Sequence, residues 1–216
     1  MMRSVRPAVL AAVCFAMLCV SLLAAQPVGI FEDHADVGAV LHPGAAAYDP
    51  AIKTYTITGS GENMWFGTDA FQFVWKRTTS NDLTLTANIE FVGESGEPHR
   101  KAVLMVRQNL DPQSPYADAT LHGNGLTCLQ FRPEHGANTD EVQSKTSDPK
   151  RVRLVKEGNT FTVWIGSDDG KWTQVAGPVT VPMHGSFYVG LGVCSHDKDK
   201  SETAKFTNVQ LTEVPR

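Results

Sequence analysis

Five polar side chains, Arg107, Asp118, His122, Gln130 and Arg132, stand among apolar residues in the run KAVLMVRQNLDPQSPYADATLHGNGLTCLQFR, Lys101 to Arg132. An arginine guanidinium presents a planar fork of donors that suits carboxylates and sugar hydroxyls alike. Polar groups set into an apolar face must be satisfied by one another, by water or by a ligand. Two readings follow: an internal ion pair of Arg107 or Arg132 with Asp118, or a polar-lined binding cleft. Gln130 and Arg132 share a face with Cys128. His196 shares one with Cys194, Gly192 and Gly190, whose missing side chains would leave room above a sheet. Trp65 follows the turn Gly59-Ser60-Gly61 in a loop-like context, which makes it the best candidate to stack on a flat ligand. Trp75, Trp164 and Trp172 sit in strand patterns and are expected in the core.

Common catalytic signatures are missing. There is no HExxH pair, no Gly-x-Ser-x-Gly elbow and no phosphate loop, and Gly59-Ser60-Gly61 lacks the third glycine of a dinucleotide fingerprint. No cofactor is expected. The ExDxxE strand signature of laminarinase-type hydrolases is also absent. A glycan-active enzyme would have to use a pair such as Asp118 with Glu141, in the long polar segment Glu134 to Lys150. Asp197, Asp199, Ser201 and Glu202 have calcium-like spacing but lack the glycine and the closing glutamate of an EF-hand. The seven histidines show no metal-like spacing, so no metal ion is assigned.

The elements that must position these groups read as strands. No helical period is sustained after residue 25, and short alternating or apolar runs recur between Gly, Pro, Asn and Asp. Phe71, Phe73 and Trp75 share one face of a strand, and Leu83, Leu85, Ala87, Ile89 and Phe91 one face of another. Gly123-Asn124-Gly125 and Gly158-Asn159 are hairpin signals. At least ten strands without a helix predict an all-β, two-sheet antiparallel jelly-roll sandwich. Glu134 to Lys150 is expected to be a mobile loop around one weak strand, of a length that often borders a site.

The chain opens with Arg3 and Arg6, then the apolar stretch Ala8 to Ala25, then a mixed composition, which is the order of a secretory signal. Residues 1–25 are therefore expected to be a signal peptide and 26–216 a single domain, periplasmic or extracellular, with no stable membrane insertion after cleavage. Taking away Arg3 and Arg6 leaves 17 basic against 23 acidic residues, a formal charge of −6. Such a surface has no reason to seek nucleic acid. Cys128 and Cys194 remain, either as one disulfide or as two buried thiols.

The order of DVGAVLHPGAAAYDPAIKTYTITGSGENMWFGTDAFQFVWK, the Lys101 to Arg132 run and FYVGLGVCSHDKDKSETAKFTNVQL resembles the concanavalin A-like domains of the DUF1349 type, from about Asp36 to Leu211. Such domains occur in secreted bacterial proteins, beside xylosidase-like catalytic domains and next to Tol-type β-propeller modules. The resemblance implies a jelly roll whose concave face often holds the ligand, with Arg107, Gln130, Arg132 and His196 near that face, and brings no catalytic set. The expected role is a non-catalytic binding module for glycan or a cell-envelope polymer, with Trp65, Arg107, Asp118, Gln130, Arg132, Glu141 and His196 as its contacts. The alternative is a structural or protein-interaction domain that meets an envelope protein.

Overall fold

The computed structural model describes residues 27–93 and 96–214, so the expected signal segment, 1–25, lies outside the described residues. Fourteen strands and no α-helix occur among them. They are β1 (Asp33–Val37), β2 (Ala45–Asp49), β3 (Thr54–Gly61), β4 (Phe71–Thr78), β5 (Asp82–Phe91), β6 (Lys101–Arg107) and β7 (Tyr116–His122). The chain continues with β8 (Thr127–Arg132), β9 (Asp140–Gln143), β10 (Arg151–Glu157), β11 (Thr160–Gly166), β12 (Trp172–Thr180), β13 (Phe187–Cys194) and β14 (Asp197–Val214).

Two seven-stranded sheets form the sandwich. One has the order β1-β4-β13-β6-β7-β8-β9, the other β12-β11-β10-β5-β14-β3-β2, and all the pairings are antiparallel. The period-two alternation decides what each face carries. On β6, Ala102, Leu104 and Val106 join the main core between the sheets, with Leu85 of β5, Leu154 of β10 and Phe206 of β14. Val103 and Met105 point the other way, into a second apolar cluster with Phe71, Phe73, Trp75, Tyr116 and Met64.

That second cluster explains why β6 reads as apolar throughout. The outer face of the first sheet is roofed by the β3–β4 connection, residues 62–70, which buries Met64 and Asp69 upon it. A strand covered on both sides loses the polar alternation of a half-exposed one.

Strands β1 and β2 were not expected from sequence. DHADV and AAAYD contain almost no β-branched residue, and both sit at sheet edges, β1 against β4 and β2 against β3. Pairing with a well-formed neighbour, rather than intrinsic propensity, makes them strands. The expected weak strand in Glu134 to Lys150 is β9, which closes the first sheet beside β8.

Candidate functional site

Antiparallel register assembles the outer face of the first sheet row by row. Met105, Asp118, Gln130 and Glu141 lie side by side across β6, β7, β8 and β9, and Lys101 is opposite His122. One end of this polar face is closed and the other open.

The closed end is built on the two arginines. Arg132 makes a bidentate pair with Asp69, at 2.6 and 3.0 Å, and donates to the carbonyls of Ala137 (2.9 Å), Ser114 (3.1 Å), Pro112 (3.3 Å) and Phe66. Arg107 lies 3.4 Å from the same carboxylate and donates to the carbonyls of Asn109 (2.7 Å) and Asp111 (2.6 Å). All three side chains are wholly buried. The Tyr116 hydroxyl donates to Met64 O at 2.8 Å, and its ring lies under the Arg132 guanidinium. This corrects the expectation that Arg107 and Arg132 contact a ligand: their donors are spent on loop carbonyls and on Asp69. It also corrects the partner, because the paired acid is Asp69 from the covering loop and not Asp118.

Asp118 lies nearby, fully buried, with no cation in ion-pair range among the described residues. Its Oδ1 accepts from the Thr120 hydroxyl, and its Oδ2 has no hydrogen-bond partner. Burial pushes its carboxyl up to about 7, against the opposing effects of the Thr120 hydrogen bond and the Lys101 charge. It is sealed below the surface and does not reach a ligand.

The open end is a cleft of about 290 Å³. Trp65 and Asn63 from the covering loop form one wall, and Gln130, Glu141 and Gln143 from β8 and β9 form another. Lys101 and His122 form the floor, while His99 and His196 complete the end. Trp65, Gln130, Glu141 and His196, assigned to a binding face from sequence, thus meet in one cleft, whereas Arg107, Arg132 and Asp118 stay outside it.

Hydrogen bonding sets the tautomers of two imidazoles. His122 is buried, and burial together with the Lys101 charge pushes its pKa down to about 4, so it is neutral at pH 7. Its Nδ1–H donates to Leu126 O at 3.1 Å, which leaves Nε2 as an acceptor. His196 Nδ1 faces the Lys101 ammonium at 3.4 Å and accepts from it, which leaves Nε2–H as a donor. Burial and the Lys101 charge depress His196 as well. Of the three imidazoles in the cleft, His122 thus offers an acceptor and His196 a donor, beside His99, planar amides and an indole.

Gly190 and Gly192 do not open room above the sheet. A Cβ at Gly192 would lie 2.9 Å from the Phe71 ring, and one at Gly190 would fall 1.8 Å from Val74 O, so neighbouring atoms take up the space. The disulfide left open by the sequence is not formed: Cys128 and Cys194 are free and buried. β6 and β7 separate their strands, roughly 14 Å at sheet spacing, about twice the reach of a disulfide. Burial raises both thiols, Cys194 to about 11, so neither is a nucleophile.

Lys101, His122 and Gln143 continue the alternation of residues already singled out. The register that sets Arg107 opposite Tyr116 also carries Lys101 to His122, so antiparallel pairing of β6 with β7 could have found that pair. Asn63, His99 and Asp69 come from loops and carried no such signal. Among the described residues no group of three His, Cys, Asp or Glu side chains is arranged to hold a metal ion.

No family model matches the sequence, and no curated protein matches it. Solved structures do. A Saccharomyces cerevisiae protein described as functionally unknown superposes with a TM-score of 0.59 at 16% identity, over 80% of this chain and 93% of that one. The carbohydrate binding module CBM66 from Bacillus subtilis gives 0.51 at 19% identity, over 88% and 98%. The chain is a jelly-roll sandwich. A xylan β-1,4-xylosidase from Bacillus halodurans gives 0.55 at 17% identity over 78% of this chain, which spans 34% of that enzyme's length. At such identities the likeness is one of fold.

Proposed function

We propose that this jelly roll is an exported, non-catalytic carbohydrate-binding module, of the DUF1349 type, that takes a unit of a glycan or cell-envelope polymer into the cleft at the open end of the first sheet. The observation that carries the reading is Trp65, half-buried at the cleft wall with Asn63, Gln130 and Gln143 around it. A flat apolar ring faces the C–H side of a sugar, and planar amides with imidazoles of fixed tautomer bond to its hydroxyls. The carbohydrate-binding module and the xylosidase among the solved structures make this ligand class consistent with the fold.

Catalysis fits less well. Glycoside hydrolysis needs two carboxyl groups flanking the scissile bond in an open cleft. Here Glu141 lines the cleft, while Asp118 is sealed beneath the face. A protein-interaction scaffold would be favoured by a polar face closed throughout, as the arginine end is, whereas the other end is an open cleft.

A test is calorimetric titration of the folded protein against a broad panel of neutral and acidic oligosaccharides. Trp65→Ala is expected to weaken binding at least tenfold, roughly the worth of one stacked aromatic, with the melting temperature little changed. No binding across the panel, or binding indifferent to both Trp65→Ala and Gln130→Ala, would remove the reading and leave the envelope-protein alternative.

A further inference from the structure

We infer that the sugar unit held in the cleft is acidic and that its single negative charge pairs with Lys101. This rests on the reading of the cleft as a carbohydrate site and narrows its ligand.

Five charged side chains are buried on the outer face of the first sheet: Lys101, Arg107 and Arg132 against Asp69 and Asp118. Asp69 is spent on the two arginines. Asp118 is no full counter-ion for Lys101, since among the described residues no carboxylate oxygen comes within ion-pair range of Lys101 Nζ, whose hydrogen bonds go to Asn63 and His196, and burial favours the protonated form of Asp118. The floor below the cleft thus holds a net positive charge whether or not Asp118 is ionised.

Lys101 is the part of that floor in contact with the cleft. It is 2% exposed. Its Nζ has two neutral partners, Asn63 Oδ1 at 3.0 Å and His196 Nδ1 at 3.4 Å. An ammonium has three N–H groups, so one remains for a ligand. A buried cation without a counter-ion is costly, and an anion entering from the cleft would relieve that cost.

The surroundings fix the kind of anion. His122 is held neutral and the His196 pKa is lowered by burial and by the Lys101 charge, so both favour hydrogen bonding over added charge. Glu141 also lines the cleft, and Glu62 and Glu97 act on His196 alone, from outside the lining. One ammonium in a cleft that is also lined by the Glu141 carboxylate matches a singly charged group and disfavours a dianionic phosphate. The ligand chemistry is a monoanionic sugar, with a uronate carboxylate or a sulfate ester as its source.

The wild-type protein can test this without a variant. A uronic-acid oligosaccharide, its carboxyl-reduced neutral counterpart and a sulfated oligosaccharide of the same length are titrated in parallel. Binding of the uronate at least tenfold tighter than the reduced sugar is expected. The sulfated arm tells whether carboxylate geometry or charge alone is read. Lys101→Met, close in volume and free of the buried charge, is expected to abolish the preference, so that the acidic and the reduced sugar bind with equal affinity. Equal affinities for acidic and reduced sugars, or a preference that persists in Lys101→Met, would overturn the acidic ligand and leave the carbohydrate reading standing. Failure of every sugar to bind would overturn both.

Discussion

Arg132→Ala is expected to destabilise the protein by about 3–5 kcal/mol, the usual cost of breaking a buried ion pair from one side. Arg132 makes the bidentate pair with Asp69 and donates to four backbone carbonyls, drawn from the loops at Phe66, Pro112, Ser114 and Ala137. Its removal leaves Asp69 buried against Arg107 alone, at 3.4 Å, and strips those carbonyls of a donor. Against a typical domain stability of about 5–15 kcal/mol, this is a large fraction. Arg132→Lys is expected to recover only part of it, because an ammonium cannot span the carboxylate and the carbonyls together. Urea denaturation of the two variants measures both effects. A ligand-contacting arginine would behave in the opposite way, losing affinity with stability intact. Unchanged stability in Arg132→Ala would therefore return Arg132 to the binding face.

The same residue shows where the sequence was legible and where it was not. Alternation along Ala117 to Leu121 and Leu126 to Arg132, with a glycine turn between, was sufficient to set Asp118, Gln130 and Arg132 on one face, since side chains on a strand have only two directions. Which of them would be free was decided by the loop at 62–70. GENMWFGTDA carries no period, and nothing local shows that Asp69 folds back over the sheet while Trp65 remains at an open edge. Asp118 was a natural partner for the arginines because it lies close in sequence and shares their face. Asp69 won because it approaches from above, where a guanidinium can meet both carboxylate oxygens. The edge strands β1 and β2 were obscured for a related reason, in that their conformation is imposed by neighbours.

Asp118 carries the second large effect, and its sign depends on pH. Burial raises its folded-state pKa to about 7, far above the 3.8 of a free aspartate. A raised carboxyl holds its proton in the folded state while the unfolded chain has already released it. The stability this group contributes is therefore fully present below the unfolded value and is lost as pH rises between about 4 and 7. A shift of that size corresponds to roughly 4 kcal/mol as an upper figure. His122 works the other way: its folded pKa is depressed to about 4, so its contribution is present above the unfolded value of 6.5 and is lost as pH falls toward 4. Between pH 4 and 6.5 the two slopes oppose, and the wild-type profile is expected to be shallow there. Asp118→Asn keeps an amide oxygen to accept from Thr120 and cannot ionise, so it removes one slope and leaves the other. Its stability relative to wild type is expected to be near zero at pH 4 and to grow to about 2–4 kcal/mol in favour of the variant at pH 8. Other titrating groups cancel in that difference, which paired denaturation curves at the two pH values measure directly. A difference that does not change with pH would mean that Asp118 is ionised in the folded protein throughout the range.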